Sequence, residues 1–141
     1  MSLRHCLFAL SLGISTMGHA KPNLFDITAT TLQGDLFEMS SLRGKVVMIV
    51  NTATSCGFTG QLGELQDLYA EHQDEGLVVL GFPSNDFRQE GRSDEDIARF
   101  CQVNYGVTFP MLSRGHVNGP NRHPLYQLSL IHISEPTRLR L

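Results

Sequence analysis

Two apolar runs separated by an amphipathic stretch constrain the fold of this chain more than any other feature. Residues 45–51 (KVVMIVN) and 77–82 (LVVLGF) are rich in β-branched side chains, a pattern typical of strands that are covered on both faces. Between the runs, side chains at spacings of three and four residues indicate an amphipathic helix, and Gly76 follows as a helix C-cap. The helical face comprises Leu62, Leu65, Leu68, Tyr69 and His72. The pattern predicts a right-handed parallel strand–helix–strand unit.

Further elements are expected on either side of this unit. Ser93 offers an N-cap hydroxyl ahead of acids at 94–96, which suit the positive end of a helix macrodipole. The face of this second helix continues through Ile97, Phe100, Cys101 and Asn104. Upstream, residues 24–39 alternate well enough for a hairpin that turns at residues 33–35. Together these elements predict an α/β fold of two or three layers.

The charge of the chain argues against two classes of partner. It carries 11 Lys and Arg against 14 Asp and Glu, a formal net charge of −3, and has no basic cluster. A nucleic acid would need Lys and Arg to neutralise its phosphates, and an anionic membrane surface would need the same residues. No repeat or linker divides residues 21–127. We therefore expect a single domain there, with no nucleic-acid partner and no membrane span.

Residues 1–20 have the layout of a secretory signal peptide. Arg4 supplies a positive start, residues 6–14 (CLFALSLGI) form an apolar run, and residues 18–20 (GHA) resemble a small-residue cleavage site. Such a short apolar run cannot cross a bilayer, whose core needs about 20 residues. We therefore expect a periplasmic or secreted protein; a poorly ordered N-terminal extension is the alternative. In an oxidising compartment the remaining cysteines, Cys56 and Cys101, suggest a disulfide or redox chemistry.

The C-terminal segment, residues 128–141, differs in character from the preceding chain. Residues 128–138 (LSLIHISEPTR) resemble the translation of a sequencing-library adapter, and they show neither a helical face nor a clean strand pattern. We expect the natural gene to diverge here and to continue beyond Gln127. A genuine tail is the alternative.

Cys56 lies where α/β proteins commonly place reactive groups. It follows the first apolar strand, directly ahead of the predicted first helix, and so lies at the C-terminal edge of the predicted parallel strands. Unpaired N–H groups and the dipole at a helix N-terminus favour thiolate over thiol, which raises the reactive fraction near neutral pH. A buried structural cysteine is the alternative interpretation.

Four motifs in one register resemble those of a known family. Residues 51–59 (NTATSCGFT) resemble the active-site signature of the glutathione peroxidase family in its cysteine rather than selenocysteine form. Residues 80–91 (LGFPSNDF with RQEG), 105–111 (YGVTFPM) and 117–126 (VNGPNRHPLY) are similar to later motifs of the family. The likeness implies a thioredoxin-like fold of the glutathione peroxidase type, incomplete at its C-terminus, over residues 21–127.

The resemblance also implies a thiol-dependent peroxidase. Cys56 matches the residue that attacks a peroxide oxygen and becomes a sulfenic acid. Gln89 matches a glutamine whose amide donates to the thiolate and helps to hold the peroxide. The family adds a Trp and an Asn; this chain has no Trp, and we attribute this to the altered sequence after Gln127. The implied partners are hydrogen peroxide or an organic hydroperoxide and, as reductant, glutathione or a thioredoxin-like dithiol protein, with no cofactor or metal.

Cys101 has two interpretations. It matches the resolving cysteine of thioredoxin-dependent members of the family, which forms a disulfide with the oxidised thiol, here Cys56. It also shares an apolar helical face with Ile97 and Phe100 and could simply be a core residue. If Cys101 resolves, the second helix must partly unwind, because a disulfide needs Cα atoms within roughly 7 Å.

The chain departs from the family pattern at two positions, and other functions are also compatible with its sequence. Ser84 and Asp86 stand where the family commonly has Cys and Gln, a departure that bears on partner preference more than on chemistry. The histidines at 72, 116 and 123 lack metal-ligand spacing. A thiol-disulfide oxidoreductase would need a second cysteine at Thr59, where there is none. A peroxide-sensing thiol relay and an inactive truncated fragment are the remaining alternatives.

Overall fold

The computed structural model describes residues 23–128, so the expected leader (1–20) and residues 129–141 of the expected foreign tail lie outside it. The strands are β1 (Thr28–Thr30), β2 (Leu36–Glu38), β3 (Val46–Thr52) and β4 (Leu77–Pro83). The α-helices are α1 (Gln61–His72) and α2 (Asp94–Tyr105), and residues 124–128 are also helical. Short 3₁₀ turns span Leu24–Asp26, Met39–Leu42 and Gln73–Glu75.

The predicted parallel strand–helix–strand unit is confirmed. β3 and β4 pair in parallel from Val46 opposite Leu77 to Thr52 opposite Pro83, and α1 connects them. α1 ends at His72 and a 3₁₀ turn follows, so Gly76 caps that turn rather than the α-helix itself. Its φ of 96° lies in the left-handed region, which glycine adopts without steric cost and which reverses the chain into β4.

The predicted hairpin is also confirmed, and a short bridge joins it to the parallel strands. β1 and β2 pair antiparallel, and Gly34 turns the chain between them with a φ of 87°. The N–H of Leu32 donates to the Met111 carbonyl at 3.1 Å, and the N–H of Leu112 donates to the Gly81 carbonyl at 2.8 Å. Residues 111–112 thus lie between β1 and β4 and link the two small sheets.

Buried side chains form one apolar cluster on each side of β4, because successive residues of a strand point to opposite faces. One cluster contains Ala29, Met39, Leu42, Leu80, Phe82, Leu112 and Leu125. The other contains Leu32, Leu62, Val79, Ile97, Cys101, Phe109 and Met111. α1 and α2 contribute to the second cluster, while the 124–128 helix contributes Leu125 to the first. Helices therefore cover both faces of β4, which confirms the α/β fold class.

β3 is less covered than its sequence suggested. Val46 is 70% exposed and Met48 is 38% exposed, so the prediction of burial on both faces is correct for β4 and wrong for β3. Val47 and Ile49, on the opposite face, pack against the cluster of Leu80. The reason is that α1 packs over β4, and no element of residues 23–128 covers Val46 or Met48.

α2 begins as predicted. The Ser93 hydroxyl accepts a hydrogen bond from the N–H of Asp96, and Ile97 and Cys101 are buried. Asn104 departs from the predicted face, because its amide is exposed and donates to the Phe100 carbonyl one turn earlier at 2.8 Å. An amide has donors and acceptors that need partners when buried, so it remains in solvent at the end of the helix.

Candidate active site

Cys56 lies in the loop between β3 and α1. α1 begins at Gln61, so the thiol is separated from the helix by four residues and is not directly ahead of it as predicted. Those residues form consecutive tight turns: the N–H of Thr59 donates to the Cys56 carbonyl at 3.1 Å, and the N–H of Gln61 donates to the Phe58 carbonyl at 2.9 Å. The turns carry the chain continuously from Cys56 into the helix.

The sulfur of Cys56 has a hydrogen-bond donor and an adjoining cavity. The thiol is half-buried, and the N–H of Phe58 donates to its Sγ at 3.5 Å. A cavity of about 70 Å³ adjoins it, with Thr52 and Leu62 among its lining residues. Because a cavity needs only about 10–15 Å³ of such space to hold one water molecule, a small molecule fits here. A small peroxide is therefore of suitable size to reach the sulfur.

Gln89 lies beside the Cys56 loop. Its carbonyl accepts a hydrogen bond from the N–H of Ser55 at 3.0 Å. The preceding residue, Arg88, has a φ of 59°, a left-handed conformation that is uncommon for a side chain other than glycine and that turns the chain toward Ser55. Within residues 23–128 no hydrogen bond joins the Gln89 amide to the sulfur. The structure therefore brings the two segments together through their backbones.

Glu90 is a member of the site that sequence reasoning missed. Its side chain is completely buried, and its carboxylate accepts hydrogen bonds from the N–H of Thr54 at 2.7 Å and from the Thr54 hydroxyl at 2.8 Å. The N–H of Arg92 donates to the same carboxylate at 3.2 Å. The only signal in the sequence is its position next to Gln89, since an acid in a polar loop is normally exposed.

Two arginines tie the segment around Glu90 to its neighbours. The guanidinium of Arg92 donates to the hydroxyl of Thr54 and, at 3.4 Å, to that of Ser55. Its other face lies over the ring of Phe100 in α2, 4.7 Å from the centroid. Arg114 donates to the Arg92 carbonyl at 2.9 Å, which fixes the backbone of this segment. A continuous polar network therefore runs from the Cys56 loop to α2.

Cys101 lies apart from Cys56. It is 2% exposed on the buried face of α2, and it adjoins a cavity of about 280 Å³ that differs from the one beside Cys56. Burial, and to a smaller extent the charge of Glu90, raise the pKa of its thiol to about 11, while the charge of Arg92 opposes this. Both cysteines are free thiols. In this conformation Cys101 is therefore a core residue.

Ser84 and Asp86, the departures from the family pattern, hold the loop after β4. Ser84 is 1% exposed and its hydroxyl accepts from the N–H of Asp86 at 3.3 Å. The Asp86 carboxylate pairs with the His116 ring at 2.7 Å and accepts from the N–H groups of Val117 and Asn118. The hydrogen bond from His116 and these N–H groups lower the pKa of Asp86. Both residues therefore have structural roles here.

The three histidines without metal-ligand spacing contact a carboxylate or an aromatic ring. His72 Nδ1 lies 3.1 Å from a Glu75 carboxylate oxygen, and His116 pairs with Asp86. His123 packs against the ring of Phe82, and burial lowers its pKa. Residues 23–128 contain no group of three or more acidic, His or Cys side chains placed to hold a metal ion. Across the same residues, no helix has the length and apolar character needed to span a membrane.

Comparison with known sequences gives a consistent family. A sequence model described as glutathione peroxidase matches residues 24–129. The glutathione peroxidase-like peroxiredoxin gpx1 of Schizosaccharomyces pombe is 51% identical over 106 residues, which cover 74% of this chain and 67% of that protein. The chain spans about two thirds of the length of the curated relatives it matches.

Solved structures show the same fold. The crystal structure of T. cruzi GPX1 matches with a TM-score of 0.57 and 27% identity over 75% of this chain and 63% of that one. A thioredoxin-family thiol:disulfide interchange protein from Chlorobium tepidum TLS matches with a TM-score of 0.53 and 16% identity, over 63% of this chain and 57% of its own. The latter likeness concerns the fold alone, and together the two confirm the predicted thioredoxin-like fold.

Proposed function

Because the chain belongs to the glutathione peroxidase family, we propose that it reduces hydroperoxides through the thiol of Cys56. One observation carries the proposal: in the family's signature segment, a half-buried thiol adjoins a small cavity and has the Phe58 N–H directed at its sulfur. This N–H stabilises negative charge on the sulfur as the thiolate attacks.

The proposed first step is a two-electron oxidation of Cys56. Its thiolate attacks one peroxide oxygen, the S–O bond forms as the O–O bond breaks, and sulfur becomes a sulfenic acid. The other oxygen leaves as hydroxide or alkoxide and takes up a proton, which gives water or an alcohol. Gln89 is proposed to orient the peroxide with its amide after a side-chain rotation, since its backbone already adjoins Ser55.

The proposed second step resets the enzyme through Cys101. Its thiolate attacks the sulfenic sulfur, a Cys56–Cys101 disulfide forms as the S–O bond breaks, and the sulfenic oxygen leaves as hydroxide, which takes up a proton to give water. Because Cys101 is buried on α2, this step needs a local opening of that helix, which costs much less than global unfolding. A thioredoxin-like dithiol protein then reduces the disulfide by thiol exchange; glutathione is the alternative reductant.

Steady-state peroxide consumption tests the proposal. The purified protein is supplied with hydrogen peroxide or an organic hydroperoxide, and with either a thioredoxin system or glutathione. Cys56→Ser is expected to abolish turnover, and Cys101→Ser to abolish only turnover that depends on the dithiol protein. A Cys56→Ser variant that keeps most of its activity would contradict the proposal. A stable mixed disulfide with a second protein, formed without turnover, would instead indicate a peroxide-sensing relay.

We also propose that the protein is exported to the periplasm or secreted. The support is the composition of residues 1–20, in which a positive start, an apolar run and small residues follow one another. Terminal sequencing of the protein recovered from the producing cells tests this proposal. A mature chain that begins at Lys21 supports export, and a cytoplasmic chain that retains Arg4 contradicts it.

A further inference from the structure

Glu90 is the one charged side chain among residues 23–128 that is completely buried. A buried carboxylate is costly unless hydrogen bonds satisfy it, and acids are almost never fully buried without such partners. Here Thr54 supplies two of the donors and the Arg92 backbone supplies the third. The partners that compensate its burial therefore belong to the loop of Cys56 and to the segment that enters α2.

We infer that Glu90 is a positioning residue that holds the Cys56 loop against the segment leading into α2 and so couples the positions of the two thiols. The contact is direct: both carboxylate oxygens of Glu90 accept hydrogen bonds from Thr54, which lies two residues before Cys56. The Glu90 N–H in turn donates to the side chain of Asn85 at 3.0 Å, which fixes the backbone of Glu90.

Arg92 extends this coupling to α2. Its guanidinium contacts the hydroxyls of Thr54 and Ser55 on one side and the ring of Phe100 on the other. Phe100 precedes Cys101 in the helix. An opening of α2 that moves Phe100 therefore also disturbs the hydrogen bonds that fix the Cys56 loop.

The same carboxylate acts on the second thiol. Its negative charge disfavours the thiolate of Cys101, in the same direction as burial does. While the loop is anchored, Cys56 is held for reaction and Cys101 is kept as a poorly reactive thiol. When the segment from Glu90 to Arg92 moves away, the Cys56 loop is released, and Cys101 loses the charge of Glu90 together with the smaller opposing charge of Arg92.

The inference rests on the proposed peroxidase function, and the test separates the two. Reduced protein is mixed with hydrogen peroxide, and the rate of sulfenic acid formation at Cys56 is measured by chemical trapping and peptide mapping. The rate at which iodoacetamide labels Cys101 is measured at one pH in parallel. If the unmodified protein forms no sulfenic acid at Cys56, the proposed function fails. The Glu90 inference is judged separately, from the thiol rates of the variants.

Glu90→Gln keeps the shape of the side chain but removes its charge and one acceptor. Its Cys56 oxidation rate is expected to fall about tenfold or more, because misplacing a reacting group by about 1 Å costs up to about 10²-fold. Its Cys101 labelling is expected to become several-fold faster. Thr54→Val removes only the hydroxyl contacts, so it is expected to slow Cys56 oxidation about threefold and to leave Cys101 labelling unchanged.

Asp86→Asn is the matched control. It also weakens hydrogen bonds of a loop-anchoring carboxylate, but at residues 116–118. It is expected to lower thermal stability while leaving both thiol rates within about twofold of the unmodified protein. Folded Glu90→Gln protein with an unchanged Cys56 rate would overturn the inference, as would equal slowing by Asp86→Asn. If Glu90→Gln does not fold, an unchanged Cys56 rate in Thr54→Val overturns it.

Discussion

The backbone N–H of Thr54 donates to the Glu90 carboxylate at 2.7 Å across 36 positions of sequence. The loop that presents Cys56 therefore depends on a distant buried acid as well as on its own turns. Buried hydrogen bonds to a charged group contribute about 1.5–3 kcal/mol each. The placement of the reactive thiol is thus a property of the folded domain rather than of the local sequence.

The two thiols are expected to differ strongly in reactivity. Burial and the charge of Glu90 raise the pKa of Cys101 from an ordinary 9.0 to about 11, so its thiolate fraction near neutral pH falls about a hundredfold. Iodoacetamide is therefore expected to label Cys56 well before Cys101 in the folded protein, with peptide mapping to distinguish both from Cys6. Denaturant is the control and should remove the difference. Equal labelling rates in the folded state would contradict the burial of Cys101.

Gly81 is expected to accept a methyl group only if the buried Met111 side chain moves. A Cβ there would overlap Sδ of Met111 and lie 3.3 Å from Cε2 of Phe109, both in the buried cluster between β4 and the helices. Gly81→Ala should lower the free energy of unfolding by about 1–3 kcal/mol in a urea titration. Gly91→Ala, where a Cβ meets no atom within 4 Å, is the control and should stay within about 0.5 kcal/mol. A Gly81→Ala variant as stable as this control would contradict the packing.

Acid should weaken the loop anchored by Asp86. The folded-state pKa of Asp86 is lowered below its ordinary value of 3.8, chiefly by the hydrogen bond from His116. Its contribution to stability is therefore present above about pH 4 and is lost as the pH falls through 3.8 toward the lower folded value. Unfolding free energies measured from about pH 6 to pH 3 should fall less steeply in Asp86→Asn than in the unmodified protein. Parallel curves would contradict this assignment.

Local signals explain the parts of the fold that the sequence predicted well. The helical spacing from Leu62 to His72 and the hydroxyl of Ser93 ahead of three acids depend on neighbours within one or two turns, and both helices form there. The apolar run of β4 was correctly predicted to be buried on both faces. The similar run of β3 was not, because burial depends on which elements pack above a strand, and Val46 and Met48 remain exposed.

The site was predictable only in part for the same physical reason. Cys56 and Gln89 follow from their motifs, and the structure brings their segments together through Ser55. The burial of Glu90 has no local signal, since its partner Thr54 comes from a loop that only the folded sheet places beside it. For Cys101, burial in the core is confirmed, whereas its resolving role stays a prediction because it concerns an opened helix.

The most direct test of the account is the site of sulfenic acid formation. Reduced protein is treated with one equivalent of hydrogen peroxide in the presence of a sulfenic-acid trap, and the adduct is located by peptide mapping. The account predicts an adduct on Cys56 in the Cys101→Ser variant and no adduct in Cys56→Ser. An adduct on Cys101, or an unmodified Cys56 after the peroxide has been consumed, would contradict the claim that Cys56 is the reacting thiol.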